Sequence, residues 1–166
     1  DKPVSMLVDD AGDNGLRSLE VMALETIRTG WQGRALAHHA RAMALYPKPY
    51  LQELAAIHKN ADMGVVSDPH TGPLHARVRE LLEEGVLVCL GQDDISDAYY
   101  PYGRNNMLEV AFLNSHLLWF TTREDMEVLY DMITTKPARA IGLKDFELKK
   151  GAPANLVVLD QPNVLE

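Results

Sequence analysis

Short apolar runs alternate with longer segments of helical periodicity along most of the chain. Four of these runs are too short for helices, and several are rich in valine, which predicts buried parallel strands. The predicted strands are Val4–Val8, Arg34–Ala37, Met63–Val66 and Val86–Leu90. They follow one another at intervals of roughly 25 to 30 residues, the length of a strand–helix unit.

Apolar residues recur at helical spacing between and after these strands, and glycine follows two of the segments where a C-cap is expected. The predicted helices cover 16–27, 51–55, 74–82, Met107–Leu118, Arg123–Ile133 and a short segment from Pro137 to near Gly142. Strand–helix alternation builds parallel sheets, which are either open or closed into a barrel. The sequence therefore predicts an α/β fold.

Each predicted strand ends in polar residues. The four ends are Asp9-Asp10, His38-His39, Ser67-Asp68 and Gln92-Asp93-Asp94. In a (β/α)₈ barrel the carboxyl ends of the strands converge on one active site. An open dinucleotide-binding sheet would need a glycine-rich turn after its first strand, and residues 10–15 lack that motif. We therefore expect half of a barrel, completed by the same parent chain or by a second copy.

The last residues of the chain predict a separate unit. A turn-like segment, Lys150-Gly151-Ala152-Pro153, precedes an apolar run over 154–160 that predicts one more strand. We expect a partial barrel domain over residues 1–145 and the start of a small β-sandwich domain over residues 146–166. Because the chain starts at Asp1, directly before a strand-like run, we also expect it to be a fragment.

Composition limits the kinds of partner that the protein is expected to bind. The formal net charge is −8, with 24 acidic side chains against 16 lysines and arginines, which argues against binding to nucleic acid or to an anionic membrane. No stretch has the length of a membrane span. The single cysteine, Cys89, lies in an apolar strand and cannot form an internal disulfide. We expect a cytoplasmic protein that binds a small molecule.

Three polar clusters could carry chemistry. Asp93, Asp94 and Asp97 follow the fourth strand, where a divalent metal would compensate their charge, although a solvated acidic loop is the alternative. His38 and His39 are adjacent on a strand, so only one is expected to face the barrel mouth. We pair His39 with Asp93 across neighbouring strand ends, because a carboxylate can orient an imidazole and exchange protons with it.

The third cluster begins at Asp9 and Asp10, where one carboxylate could protonate a substrate nitrogen. The alternative is an acidic turn, including Asp13, that caps the following helix. The other histidines have no ligand spacing, and we interpret them as non-catalytic. They are His58, His70, His75 and His116.

Several motifs extend over most of the chain in one order. They are residues 30–39, residues 91–97, Tyr100-Pro101-Tyr102-Gly103 with Asn106-Met107, residues 134–140 and the tail over 151–159. Together they resemble the cytosine deaminase and N-isopropylammelide isopropylaminohydrolase branch of the metal-dependent amidohydrolase superfamily. The resemblance implies strands five to eight, the C-terminal half, of a distorted TIM-type (β/α)₈ barrel, followed by a return into a small β-domain. It also implies a homo-oligomer.

The same resemblance implies roles for individual residues. Asp93 matches the aspartate that binds the metal and carries the proton of the attacking water, and His39 matches a histidine that hydrogen-bonds the attacking hydroxide. Asp10 stands where a glutamate protonates the pyrimidine ring. Asp94 falls near the exocyclic side of the substrate, and we group Asp97 and Tyr99 with it as substrate-binding residues. The resemblance also implies one divalent metal ion, iron or zinc, as the cofactor.

The chain departs from the family pattern at Leu7. The family has a metal-binding histidine at this position of strand five, and leucine cannot coordinate a metal. The strand-one His-x-His pair lies outside this sequence, and the loop over Ser67–His75 looks closer to the triazine enzymes. We expect a hydrolase that releases ammonia from a cytosine-like or isocytosine-like heterocyclic amine. The alternatives are an N-alkylamino-s-triazine hydrolase and a catalytically silent barrel fragment or scaffold.

Overall fold

The fold is built on a parallel sheet in which each strand is followed by helical structure. A computed structural model describes residues 2–68 and 72–162; His70 lies outside the described residues. The strands are β1 (Val4–Val8), β2 (Ala35–His39), β3 (Gly64–Ser67) and β4 (Val88–Leu90). All neighbouring pairs are parallel, and the order in the sheet is β1-β2-β3-β4. The four predicted strands are therefore confirmed, although β2 extends two residues further than expected, to His39, and β4 is two residues shorter at its start.

Each predicted helix forms. The helices are α1 (Ser18–Arg28), α2 (Lys48–Asn60), α3 (Val78–Glu83), α4 (Met107–Leu117), α5 (Arg123–Ile133) and α6 (Thr135–Ala140), and a 3₁₀ turn covers Arg41–Leu45. However, α2 is longer at both ends than expected and α3 starts four residues later. Side chains fix two of the starts: Asn106 accepts a hydrogen bond from the backbone N–H of Leu108, and Thr122 forms a reciprocal capping box with Asp125. Within the described residues, no helix has both the length and the apolar character needed to cross a membrane.

One face of the sheet packs under the helices and forms the core. Ala37, Val65 and Val88 are fully buried there, together with leucines that α1, α2 and α3 supply: Leu19, Leu51, Leu54 and Leu81. Burial of a valine or leucine side chain stabilises the fold by about 1.5–3 kcal/mol. Cys89 is also buried, and burial raises the pKa of its thiol to about 11, which supports its expected role as a packing residue.

The other face of the sheet is open in this chain. Leu7 on this face is 69% exposed, and β1 forms an edge of the sheet. A parallel α/β sheet normally has both faces covered. The open face and the open edge are the geometry of a partial barrel, as the sequence predicts.

The strand predicted over 154–160 is not formed. Residues 153–159 have no regular secondary structure, and Val157 and Val158 are 86% and 91% exposed. A strand is stabilised by pairing with another strand, and the described residues offer this segment none. The division into domains at residues 145 and 146 stays a prediction.

His58 gives the fold a pH dependence. The side chain is fully buried in α2, and desolvation lowers its pKa from 6.5 to about 4. Between these values the unfolded chain binds more protons than the folded one, so stability is lost as the pH falls from 6.5 towards 4. We expect this group alone to remove about 3 kcal/mol over that window, a loss that His58→Leu should abolish.

Urea unfolding of wild type and variant at several pH values between 4 and 7 measures this difference. The matched control is His116→Leu, at an exposed histidine of α4, which should keep the wild-type dependence. Equal slopes for wild type and His58→Leu would contradict the assignment.

Candidate active site

The polar ends of the four strands meet at one edge of the sheet. Val8 pairs with His39 across β1 and β2, and Ser67 pairs with Leu90 across β3 and β4, so the residues that follow are brought to the same level. Asp9, His39 and Asp93 have φ values of 50°, 69° and 71°. Such left-handed conformations are uncommon outside glycine and concentrate at functional sites. The chain thus turns sharply at three of the four strand ends.

His39, Asp68 and Asp93 form the centre of this edge. One nitrogen or oxygen from each lies within 4.8 Å of the others, and His39 Nδ1 is 2.9 Å from Asp68 Oδ2. His39 and Asp68 are buried, whereas Asp93 is exposed. A cavity of about 60 Å³ opens between the strand ends. Its lining residues are Leu7, His38, His39, Val66, Asp68, Gly91 and Asp93.

The order of the strands corrects one expectation. The sequence interpretation paired His39 with Asp93 across neighbouring strand ends, but β3 lies between β2 and β4. Asp68, which follows β3, therefore comes between them and contacts His39 directly. From the sequence, Asp68 is identified only as a polar strand end, and no role is predicted for it.

His38 and His39 both line the cavity, contrary to the expectation that only one could face the barrel mouth. His38 keeps the strand alternation and lies on the open face, where its Nε2 is 2.6 Å from Ser5 Oγ. The positive φ of His39 breaks the alternation and turns this second ring towards the same edge. Burial, followed by the neighbouring His39, lowers the pKa of His38.

Arg41 connects the carboxylates around the cavity. Its guanidinium Nη1 lies 2.8 Å from Asp10 Oδ1 and its Nη2 lies 2.9 Å from Asp68 Oδ1. Arg41 and Asp68 are almost completely buried, whereas the side chain of Asp10 is 57% exposed. Asp10 also approaches His39, at 3.5 Å between Oδ1 and Nδ1. Sequence reasoning missed Arg41, which lies in the 3₁₀ turn just after β2.

Asp9 and Asp10 have different surroundings. Asp9 is buried and accepts hydrogen bonds from the backbone N–H groups of Ser18 and Leu19 at the start of α1. Tyr46 donates a further hydrogen bond to it. Asp9 therefore caps a helix, as the alternative interpretation of this cluster proposed. Only Asp10 is left with its carboxylate directed to His39 and Arg41.

The loop after β4 holds the residues expected to contact substrate. Asp97 accepts hydrogen bonds from the backbone N–H groups of Tyr100 and Tyr99, which lower its pKa. Desolvation and a hydrogen bond with Asp97 raise the pKa of Asp94, and the charge of Asp93 adds to this effect. Tyr99 is 73% exposed. Their role in substrate binding stays a prediction.

Two of the histidines interpreted as non-catalytic lie away from the cavity lining. His58 is on the buried face of α2 and His116 is exposed on α4. His75 is closer to the site: burial lowers its pKa, and the charges of Asp68 and Arg41 both act on it.

The donor set of the cavity fits a divalent cation of borderline character. One imidazole and two carboxylates are ligand types that zinc and iron accept. His39 Nδ1 is buried and makes no hydrogen bond of good geometry despite its short distance to Asp68, so it can coordinate. Leu7 lines the same cavity without a donor atom. The described residues thus bring three possible ligands together at this cavity.

Comparisons with known proteins agree with this arrangement. Residues 1–166 match the Amidohydrolase family. The chain is 30% identical over 161 residues to N-isopropylammelide isopropyl amidohydrolase of Pseudomonas sp. (strain ADP), covering 96% of this chain and 40% of that protein. It therefore spans well under half the length of this curated relative.

Two solved structures share the fold over nearly the whole chain. The 5-methylcytosine deaminase from Klebsiella pneumoniae liganded with 5-fluorocytosine superposes with a TM-score of 0.91 at 31% identity, covering 99% of this chain and 43% of that one. N-isopropylammelide isopropylaminohydrolase from Burkholderia multivorans ATCC 17616 gives 0.90 at 25% identity, covering 98% and 42%. Both are TIM-type barrels, which confirms the predicted C-terminal half of such a barrel.

Proposed function

The chain belongs to the amidohydrolase family, and we propose that the protein containing it hydrolyses an exocyclic C–N bond of an aminated nitrogen heterocycle. The substrate class is a cytosine-like or isocytosine-like ring, with ammonia as the released product. The observation that carries the proposal is the convergence of His39, Asp68 and Asp93 on one cavity at the strand ends. The match to 5-methylcytosine deaminase supports the substrate class.

Four residues of the site each have a proposed task in this reaction. A divalent cation bound at Asp93, iron or zinc, would supply Lewis-acid activation of water. Asp93 takes up the proton that the attacking water loses and passes it to the leaving amine. Asp10 donates a proton to the ring nitrogen and regains one from the hydroxyl group of the adduct as the carbonyl forms. His39 hydrogen-bonds the attacking oxygen, and Arg41 holds Asp10 in position.

The loop after β4 would bind the ring. Asp94 approaches the exocyclic amine, and Asp97 and Tyr99 complete the contact surface. The pKa of Asp94 is raised, which makes its carboxylate a better acceptor for a proton or hydrogen bond from a neutral ring. A small uncharged substrate also agrees with the acidic balance of the chain. The homo-oligomer, the cytoplasmic location and the absence of a nucleic-acid partner stay predictions.

A second candidate is hydrolysis of an N-alkylamino-s-triazine. The 30% identity to N-isopropylammelide isopropyl amidohydrolase over 161 residues favours it. The two reactions use the same catalytic groups and differ in the amine that leaves. A substrate panel therefore separates them.

The test is a panel assay on the full-length protein loaded with iron or zinc. Cytosine, isocytosine and 5-methylcytosine report ammonia release, and N-isopropylammelide reports release of isopropylamine. Ammonia from a pyrimidine supports the leading proposal, and isopropylamine alone supports the second. A folded protein that binds metal and hydrolyses nothing in the panel would overturn both substrate assignments. A folded protein without metal would favour the silent scaffold.

Leu7→His should strengthen metal binding in the full-length protein. Leu7 faces the cavity beside His39 and Asp68, and a histidine there would add an imidazole donor. We expect metal affinity to rise by about ten-fold or more, as for recovery of a lost ligand interaction. Competition with a metal chelator measures the change, and Leu7→Gln is the control of similar size without an imidazole. Unchanged affinity in Leu7→His would contradict the position assigned to β1.

A further inference from the structure

We propose that Asp68 is a protein ligand of the catalytic cation and that its carboxylate supplies the coordination that Leu7 cannot. This inference rests on the proposed function. It departs from the sequence interpretation, in which Asp93 is the one ligand within this chain.

Position is the first argument. Asp68 follows β3, the strand that lies between those carrying His39 and Asp93, and all three offer a donor atom within 4.8 Å of the others. Asp68 Oδ2 is 2.9 Å from His39 Nδ1, so a cation bound to Asp68 and Asp93 would lie beside the imidazole that is proposed to hydrogen-bond the attacking oxygen. Leu7 borders the same cavity, so a ligand lost from β1 and one gained after β3 would serve one ion.

Burial is the second argument. The side chain of Asp68 is 6% exposed and that of His39 is 8% exposed. Burying a carboxylate and an imidazole costs several kcal/mol unless each is paired or bound to a metal. Yet His39 Nδ1 has no hydrogen bond of good geometry although Asp68 Oδ2 is so near. Asp68 Oδ1 is paired with Arg41. A cation bound at Oδ2 would compensate the charge of this buried carboxylate and leave His39 to hydrogen-bond the attacking oxygen.

The two carboxylate oxygens of Asp68 have different neighbours, Arg41 for Oδ1 and His39 for Oδ2. The Nη2 of Arg41 holds Oδ1 at 2.9 Å, which fixes the carboxylate plane and leaves Oδ2 directed at His39. Partners of this kind orient metal-binding carboxylates in many sites. Arg41 is therefore a positioning residue. Its positive charge also reduces the net negative charge around the cavity. A divalent cation would balance the remaining negative charge that Asp68 and Asp93 bring to the cavity.

The test uses metal binding, independent of catalysis. The full-length protein is stripped with a chelator and titrated with Co²⁺, and both the affinity and the d–d absorption spectrum are recorded. We expect Asp68→Asn to weaken Co²⁺ binding at least about ten-fold and to change the spectrum. The matched control is Asp62→Asn, which removes the same charge from an exposed position just before the opposite end of β3. Its φ is 44°, which asparagine tolerates.

Each result has a distinct meaning. Asp68→Asn with wild-type affinity and spectrum overturns this inference and leaves the proposed function standing. A folded wild-type protein that binds no Co²⁺ overturns both. If circular dichroism shows that Asp68→Asn does not fold, Asp68→His replaces it. That variant should bind Co²⁺ with a spectrum altered by nitrogen coordination, and an unchanged spectrum contradicts the proposal.

Discussion

Asp93→Asn is expected to lower kcat/KM of the full-length protein for its heterocyclic substrate by about 10²- to 10⁴-fold. The amide that replaces the carboxylate cannot take up the proton of the attacking water, and it is a poorer ligand for a divalent cation. Asp93 is exposed, with a φ of 71°. Asparagine is among the residues that tolerate this conformation, so the fold should be unaffected.

Steady-state kinetics of Asp93→Asn are compared with those of Asp62→Asn, which should retain wild-type activity. Metal content is measured on both variants, because loss of the cation and loss of proton transfer each reduce the rate. If Asp93→Asn keeps half or more of the wild-type kcat/KM, Asp93 has no role in proton transfer. A large loss with full metal content assigns the effect to the proton.

The sequence predicts most of the elements because hydrophobic spacing and turn residues agree along the chain. β1 and α5 have the predicted bounds, and a capping box begins α5. Prediction and structure disagree where a segment would need a strand partner outside the four-stranded sheet. The apolar run over 154–160 has the composition of a strand, but the described residues offer it no neighbouring strand, and composition alone cannot supply the missing hydrogen bonds.

The candidate site is predictable for the residues that end strands and less so for their partners. His39, Asp10 and Asp93 could be chosen from their positions, since parallel strand ends share one edge. The role of Asp68 depends on the order of strands in the sheet, which periodicity does not give. A polar residue at every strand end was the signal that could have indicated it. Arg41 gave no signal, because a buried arginine is recognised only with its two carboxylates.

The backbone conformation of His39 could not be predicted from the alternation of side chains along the strand. Strand alternation directs adjacent side chains to opposite faces, so His38 and His39 could not both be assigned to the site. His39, the last residue of β2, departs from this alternation because its φ is positive. Strain of about 1–3 kcal/mol at such a position persists only where surrounding contacts impose it. The contacts to Asp68 and Asp10 at this residue are suited to that task.

Arg41→Met is expected to destabilise the fold by about 3–5 kcal/mol, the usual cost of leaving one partner of a buried ion pair without its counter-charge. The cost arises mainly at Asp68, which stays buried at 6% side-chain exposure. Asp10 is 57% exposed, so water solvates its carboxylate when Arg41 is lost. The double variant Arg41→Met with Asp68→Asn should therefore recover much of the loss, whereas Arg41→Met with Asp10→Asn should recover little. Urea unfolding of the metal-free protein measures all four free energies of unfolding, and wild-type stability in Arg41→Met would contradict the buried pair.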